Sequence, residues 1–287
     1  MIQAEQLWKF TAVNDYVIGD FMWTGIDYLG EARWPNKNSS SGVIDLCGFP
    51  KDGYYFYQSQ WTNKPMVHLF PHWNWKGHEG QVIPVIAYSN CDSIELFLNG
   101  KSFGLKSAIF PQQGVSKAWN AYDRPFVAAT TSDLHLSWDV PYEPGILKVV
   151  GRKNGKVITE EIHTTSEPVA IRLTADRTEI NGDAHELVNV KVEIVDENGQ
   201  VVPDSGNLIE FKVEGEGVLK GSDNGNPSDK TQMQSPKRNA FNGLALAVIQ
   251  STRKSGNIRL TAVSAGLKDA MLKVVSIKPV NGQKTIE

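Results

Sequence analysis

The sequence predicts a mainly β protein, with two immunoglobulin-like β-sandwiches preceded by a helix, a strand, a long loop and a second helix. Three observations carry that reading. Short alternating apolar runs recur from about Met66 onward. Asn-Gly pairs sit between them where two-residue hairpins need positive φ. Only residues 1–62 show helical spacing beside a continuous apolar run.

Taken in order, IQAEQLWKFTAVN (2–14) places Ile2, Leu7, Phe10 and Val13 near helical spacing, and Asn14-Asp15 closes the pattern. YVIGDFMW (16–23) is apolar nearly throughout, as in a strand buried on both faces of a parallel sheet. After a polar, glycine-bearing loop, PKDGYYFYQSQW puts Tyr54, Tyr57 and Trp61 on one helical face. Hairpins follow at SIELFLNGKSFGLK and GILKVVGRKNGKVITEEIH. A break at TTSEPVA (164–170) leads to further strand-like runs at VAIRLTA, LVNVKVEIV, LIEFKV, GLALAVIQ, NIRLTAVSA and AMLKVVSI. Each β half spans about a hundred residues, the size of an immunoglobulin-like sandwich. The expected divisions are 1–62, 63–165 and 166–287.

The 287 residues are 40% hydrophobic, enough to fill real cores. With 29 basic against 32 acidic residues there is no basic stripe, which sets aside nucleic acid and membrane surfaces as partners. The apolar runs, 243–249 among them, are too short to span a bilayer, and the N-terminus lacks the features of a secretory leader. Cys47 and Cys91 are expected as small unpaired thiols, a bond between them staying open. His68, His72 and His78 are close in sequence but show no HxH or HExxH spacing, and GSDNGNPSD (221–229) lacks the glutamate that closes an EF-hand. No metal and no cofactor are expected. Trp73 and Trp75 alternate with polar residues, so their rings should share one strand face and pack on the N-terminal segment, sugar binding being the alternative.

DYVIGDFMWTGIDYLGE, followed in order by GVIDLCGFPKDGYYFYQSQW, HLFPHWNWKG, NCDSIELFLNGKSFG and KRNAFNGLALAVIQS, resembles glycoside hydrolase family 2, the family of β-galactosidases and β-glucuronidases. The likeness is greatest to the β-galactosidase branch of gut Bacteroidetes and covers essentially the whole chain. It implies that residues 1–62 are the end of a (β/α)₈ barrel. Active sites of such barrels lie at the C-terminal ends of the strands, which makes Trp23 a candidate floor for the sugar at the cleavage position, its broad ring suiting the C–H face of a pyranose. The alternative is a tryptophan that caps the barrel interior. Asp27, Tyr28 and Glu31 follow as candidates to bind sugar hydroxyls, or as solvated loop residues.

The family draws its acid/base, which follows an asparagine, and its nucleophile from earlier strands, and retaining enzymes hold the two about 5–5.5 Å apart. No Asn-Glu dipeptide occurs here, and Glu167 stands in the break between sandwiches, so no catalytic residue is expected in this chain. The resemblance implies the C-terminal part of a retaining β-glycosidase of carbohydrate metabolism, supplying one active-site wall and accessory domains and inactive alone. Its partner would be a β-linked glycoside or polysaccharide, met through the complete enzyme in the periplasm or at the cell surface. The competing readings are a non-catalytic carbohydrate-binding module and a spacer or homo-oligomer-forming module. The absence of Trp and Tyr after Tyr142 favours the spacer for the last sandwich. Two structural expectations follow: the N-terminal segment packs on the first sandwich through Trp8, Tyr54, Tyr57 and Trp61, and the peptide after Trp23, cis in such barrels, relaxes to trans without the other strands.

Overall fold

The computed structural model describes residues 2–107 and 134–279. They form two compact units: Met1–Asp27, Ser41–Ile44 and Pro50–Thr164 in one; Tyr28–Ser40, Asp45–Phe49 and Thr165–Glu287 in the other.

The first unit opens with helix α1 (Ile2–Val13) and, after a long loop, α2 (Asp52–Trp61). Its strands are β1 (Val67–Phe70), β2 (Val82–Ser89), β3 (Ser93–Leu98), β4 (Lys101–Lys106), β5 (Leu136–Pro141), β6 (Ile146–Lys153) and β7 (Lys156–His163). They pair antiparallel as sheets β1-β2-β5 and β4-β3-β6-β7. Both Asn-Gly hairpins form where the sequence places them: Asn99 and Gly100 have φ of 50° and 81°, Asn154 and Gly155 of 49° and 76°, the left-handed pair a type I′ turn requires. The alternation of β3 buries Ile94, Leu96 and Leu98 against Val85, Trp138, Leu147 and Val149.

Strand β2, VIPVIAYS, is buried almost throughout because both of its faces are covered. Ile83, Val85 and Ala87 face the sandwich core, whereas Ile86 and Tyr88 meet Phe56 of α2 and Phe70. Helix α1 is fixed to the same face by a buried polar network in which the Tyr88 hydroxyl donates to Glu5 at 2.6 Å and His135 Nδ1 lies 2.8 Å from the other Glu5 oxygen. Burial, reinforced by the Glu5 charge, pushes the Tyr88 hydroxyl pKa well up, so it stays a donor. Both helices therefore pack on the first sandwich as expected, with Trp8 and Tyr57 against the Phe56–Tyr88 cluster and Glu5 adding polar contacts, whereas Tyr54 and Trp61 stay exposed.

The strand expected at 16–23 does not form. Ile18 and Phe21 are fully exposed, and among the described residues the segment joins no ladder. A strand's backbone N–H and C=O groups need neighbouring strands, and a lone run cannot supply them. Trp73 and Trp75 also differ from expectation. They lie in a loop, with Trp73 fully buried in the core of the first sandwich and Trp75 packed against that core.

The second unit is built from β8 (Ala170–Ala175), β9 (Glu179–Asn181), β10 (Leu187–Val195), β11 (Leu208–Gly215), β12 (Gly217–Asp223), β13 (Lys237–Asn239), β14 (Leu244–Ser251), β15 (Gly256–Val263) and β16 (Ala270–Ile277). Sheets β12-β14-β10-β8 and β13-β11-β15-β16-β9 enclose Val190, Val192, Ile209, Ile249, Ile258 and Leu260. β14, LALAVIQS, buries every second residue, the pattern of an antiparallel strand with one face in the core. Residues 28–40 and 45–49 belong to this unit, far from it in sequence.

Candidate functional site

Within the first unit, Trp23 is 72% exposed. The peptide between Trp23 and Thr24 is cis, not the expected trans. The expectation treated the barrel as the only support, whereas residues 24–27 are laced locally to 41–44. Thr24 N donates to Ser41 O at 3.3 Å, Val43 N to Thr24 O at 3.2 Å, Ile44 N to Gly25 O at 3.1 Å and Asp27 N to Ile44 O at 2.8 Å.

Asp27 is turned inward. Its carboxylate is buried, accepts from Gly42 N at 2.8 Å and receives Lys51 Nζ at 2.8 and 2.7 Å on its two oxygens. An ammonium and an amide N–H together offset the cost of burying a carboxylate. The approach is tight: a Cβ on Gly42 would stand 2.2 Å from Asp27 N. Asp27 thus ties the loop to Lys51, the residue before α2.

Tyr28 and Glu31 lie in the second unit, where the Tyr28 hydroxyl donates to the Glu31 carboxylate. Glu31 has a left-handed backbone, φ 46°, at the tip of a turn closed by Ser39 N, which donates to Tyr28 O at 3.0 Å. The rest of this loop is held by the segment GSDNGNPSDK (221–230). Lys37 Nζ reaches both Asp223 oxygens at 2.9 Å, Lys37 N donates to Pro227 O at 2.6 Å, and Ser228 Oγ donates to Asn36 Oδ1 at 3.0 Å. Lys230 Nζ lies 3.2 Å from the centroid of the Trp34 ring.

Behind that segment stands Arg238 of β13, whose side chain is fully buried. It donates to Asp229 Oδ2 at 3.0 Å, Ser222 O at 2.7 Å and Gln232 O at 2.8 Å. Burial alone would raise the Asp229 pKa, but bonds from Thr231 and Arg238 outweigh it and hold the carboxyl at about 2. Gly225 approaches Asp45 so closely that a Cβ would sit 2.0 Å from its Oδ2, and its φ of +74° also favours glycine.

Cys47 and Cys91 are both free thiols. Burial, with the Asp45 and Asp223 charges adding to it, pushes the Cys47 thiol far up, which keeps it inert. The three clustered histidines do not converge on one point among the described residues. His68 contacts Asp52 and Glu160, His72 stacks on Trp75, and His78 meets Gln81. Sequence reasoning picked out Trp23, Asp27, Tyr28 and Glu31 but missed Trp34, Lys37, Asp223, Lys230 and Arg238. The only local signal for these was the turn-rich composition of 221–229.

Residues 171–273 match the family described as glycoside hydrolase family 2 C-terminal domain 5, and residues 80–159 match a domain of unknown function, DUF4982. The β-galactosidase BoGH2A of Bacteroides ovatus is 44% identical over 275 residues, covering 94% of this chain and 30% of that protein. The chain belongs to glycoside hydrolase family 2. Consistent with that membership, a putative β-glucuronidase of Formosa agariphila is 35% identical over 237 residues, 80% of this chain and 21% of its own length. The crystal structure of a β-glycosidase from Bacteroides vulgatus superimposes with a TM-score of 0.83 at 35% identity, over 95% of this chain and 32% of that one. The chain therefore spans a third or less of these family members, and it corresponds to their C-terminal portion.

Proposed function

We propose that this chain is the C-terminal part of a retaining β-glycosidase of the β-galactosidase type, supplying one wall of the sugar site and two accessory sandwiches, and silent by itself. The observation that carries the reading is Trp23: a 72% exposed indole on a segment laced to residues 41–44 just beyond it. An apolar ring held in the open is what a pyranose floor needs. Asp27, on this reading, positions the loop through Lys51, while Tyr28 and Glu31 act as a hydrogen-bonded pair toward sugar hydroxyls. The substrate is a β-linked galactoside, in line with the relative that matches nearly the whole chain. The division into 1–62, 63–165 and 166–287 belongs to the same proposal, supported by the change of unit between Thr164 and Thr165.

The test is a chimera in which this chain replaces the matching C-terminal region of the Bacteroides ovatus β-galactosidase. Hydrolysis of an aryl β-galactoside is expected from the chimera and not from the chain alone. Trp23→Ala in the chimera should lower kcat/KM by about 100-fold, the size of loss that follows when a substrate is mispositioned. A folded chimera without activity, or turnover by the isolated chain that Glu31→Gln abolishes, would sink the reading.

A further inference from the structure

The last sandwich has no tryptophan or tyrosine of its own, so by sequence it lacks the aromatic platforms that bind sugars. The unit it forms nevertheless presents one, borrowed from far up the chain: Trp34, 85% exposed. An exposed indole on a slack loop would fold against any apolar surface within reach. This loop is not slack. Lys37 is paired with Asp223, with both side chains largely buried, Asn36 is bonded to Ser228, and Arg238 fixes the supporting segment from behind. The ammonium of Lys230 covers one face of the indole at 3.2 Å from its centroid and the rest of the ring opens to solvent.

A preorganised ring with one face capped by a cation and the other open suits one ligand chemistry well. The C–H face of a pyranose stacks on the indole face that Lys230 leaves open, while the ammonium over the opposite face holds the ring in place. We propose that Trp34 and Lys230 form a saccharide-binding platform, held in place by the Arg238-anchored segment of the second sandwich, that takes a pyranose unit of a β-linked oligosaccharide. The choice of sugar as ligand rests on the glycosidase reading, but the platform itself needs no catalysis. It makes the last sandwich a working part of substrate recognition instead of a spacer.

The test is a titration of the isotope-labelled chain with a β-linked galactotetraose, following its eight indole N–H resonances. The Trp34 resonance should shift saturably at millimolar ligand. Trp34→Ala should abolish the remaining oligosaccharide-induced shifts around residues 28–40 and 230, and Trp34→Phe, which keeps a ring, should retain binding weakened about tenfold. Lys230→Ala should weaken it by about threefold to tenfold. A Trp34 resonance that stays still while Trp23 shifts, no indole shift at all, or shifts unaltered in Trp34→Ala would overturn the platform and leave Trp34 as a contact for another part of the enzyme. An inactive chimera would instead overturn the glycosidase reading and leave a Trp34 shift standing as sugar binding.

Discussion

Residues 17–23 and residues 28–40 lie a few positions apart, yet Ile18 and Phe21 of the first stretch are fully exposed while Asn38 of the second is buried and Lys37 is paired with Asp223. Both look like parts of a barrel mouth by resemblance. The first is a strand in composition only, because the backbone bonds that would define it need neighbours that are not among the described residues. The second is a loop, held by side-chain ion pairs and turn hydrogen bonds that the second unit supplies itself. Apolar character thus did not secure burial, whereas ion pairing did.

The largest expected effect that would break this comparison comes from Arg238→Met. It leaves Asp229 and the carbonyls of Ser222 and Gln232 without their buried donor, and should cost about 3–5 kcal/mol of stability in denaturant unfolding. If residues 28–40 kept their hydrogen-exchange protection in that variant, the claim that segment 221–230 holds them would be wrong. Lys37→Met acts closer to the loop and should cost less, about 1–3 kcal/mol, by leaving the largely buried Asp223 without its ammonium partner. Its signature is faster exchange confined to 28–40 and 221–230.

A smaller test concerns α2, which meets the first sandwich through His68 of β1. Burial of His68 would depress its pKa, but bonds to Asp52 and Glu160 outweigh this and raise it above the ordinary 6.5. The flanking titratable groups are Asp52 of α2, Glu160 of β7 and Tyr55, whose own pKa is raised by burial and by Glu160. Because the folded value exceeds the unfolded one, the contribution is full below pH 6.5 and is lost as pH rises through the folded value. Melting of the first unit should therefore decline over that window, and His68→Gln should flatten the decline. A wild type whose melting temperature holds level from pH 6 to pH 9 would remove His68 from the clamp. The smallest effect is expected from Ile18→Ser and Phe21→Ser, each within about 0.5 kcal/mol since neither side chain is buried. A loss much above that would show that Ile18 and Phe21 are packed rather than exposed.

By itself the sequence determined whatever depends on neighbours along the chain. Asn99-Gly100 and Asn154-Gly155 set their hairpins because left-handed φ is a property of the residues themselves. The alternation in LALAVIQS and SIELFL set which side chains turn inward, and the breaks at Asn14-Asp15 and 164–170 marked where elements end. The short strands β9 and β13, three residues each, offered no period to read. The candidate site was half visible: Trp23, Asp27, Tyr28 and Glu31 sit in one conspicuous stretch. Tertiary structure alone decided that Asp27 turns inward to Lys51, that residues 16–23 join no sheet among the described residues, and that Lys37 meets Asp223 across 186 positions. Those outcomes turn on which partner the folded chain brings within a few ångströms. Local preferences of a few tenths of a kcal/mol cannot encode that choice, whereas a buried ion pair left without its partner costs several.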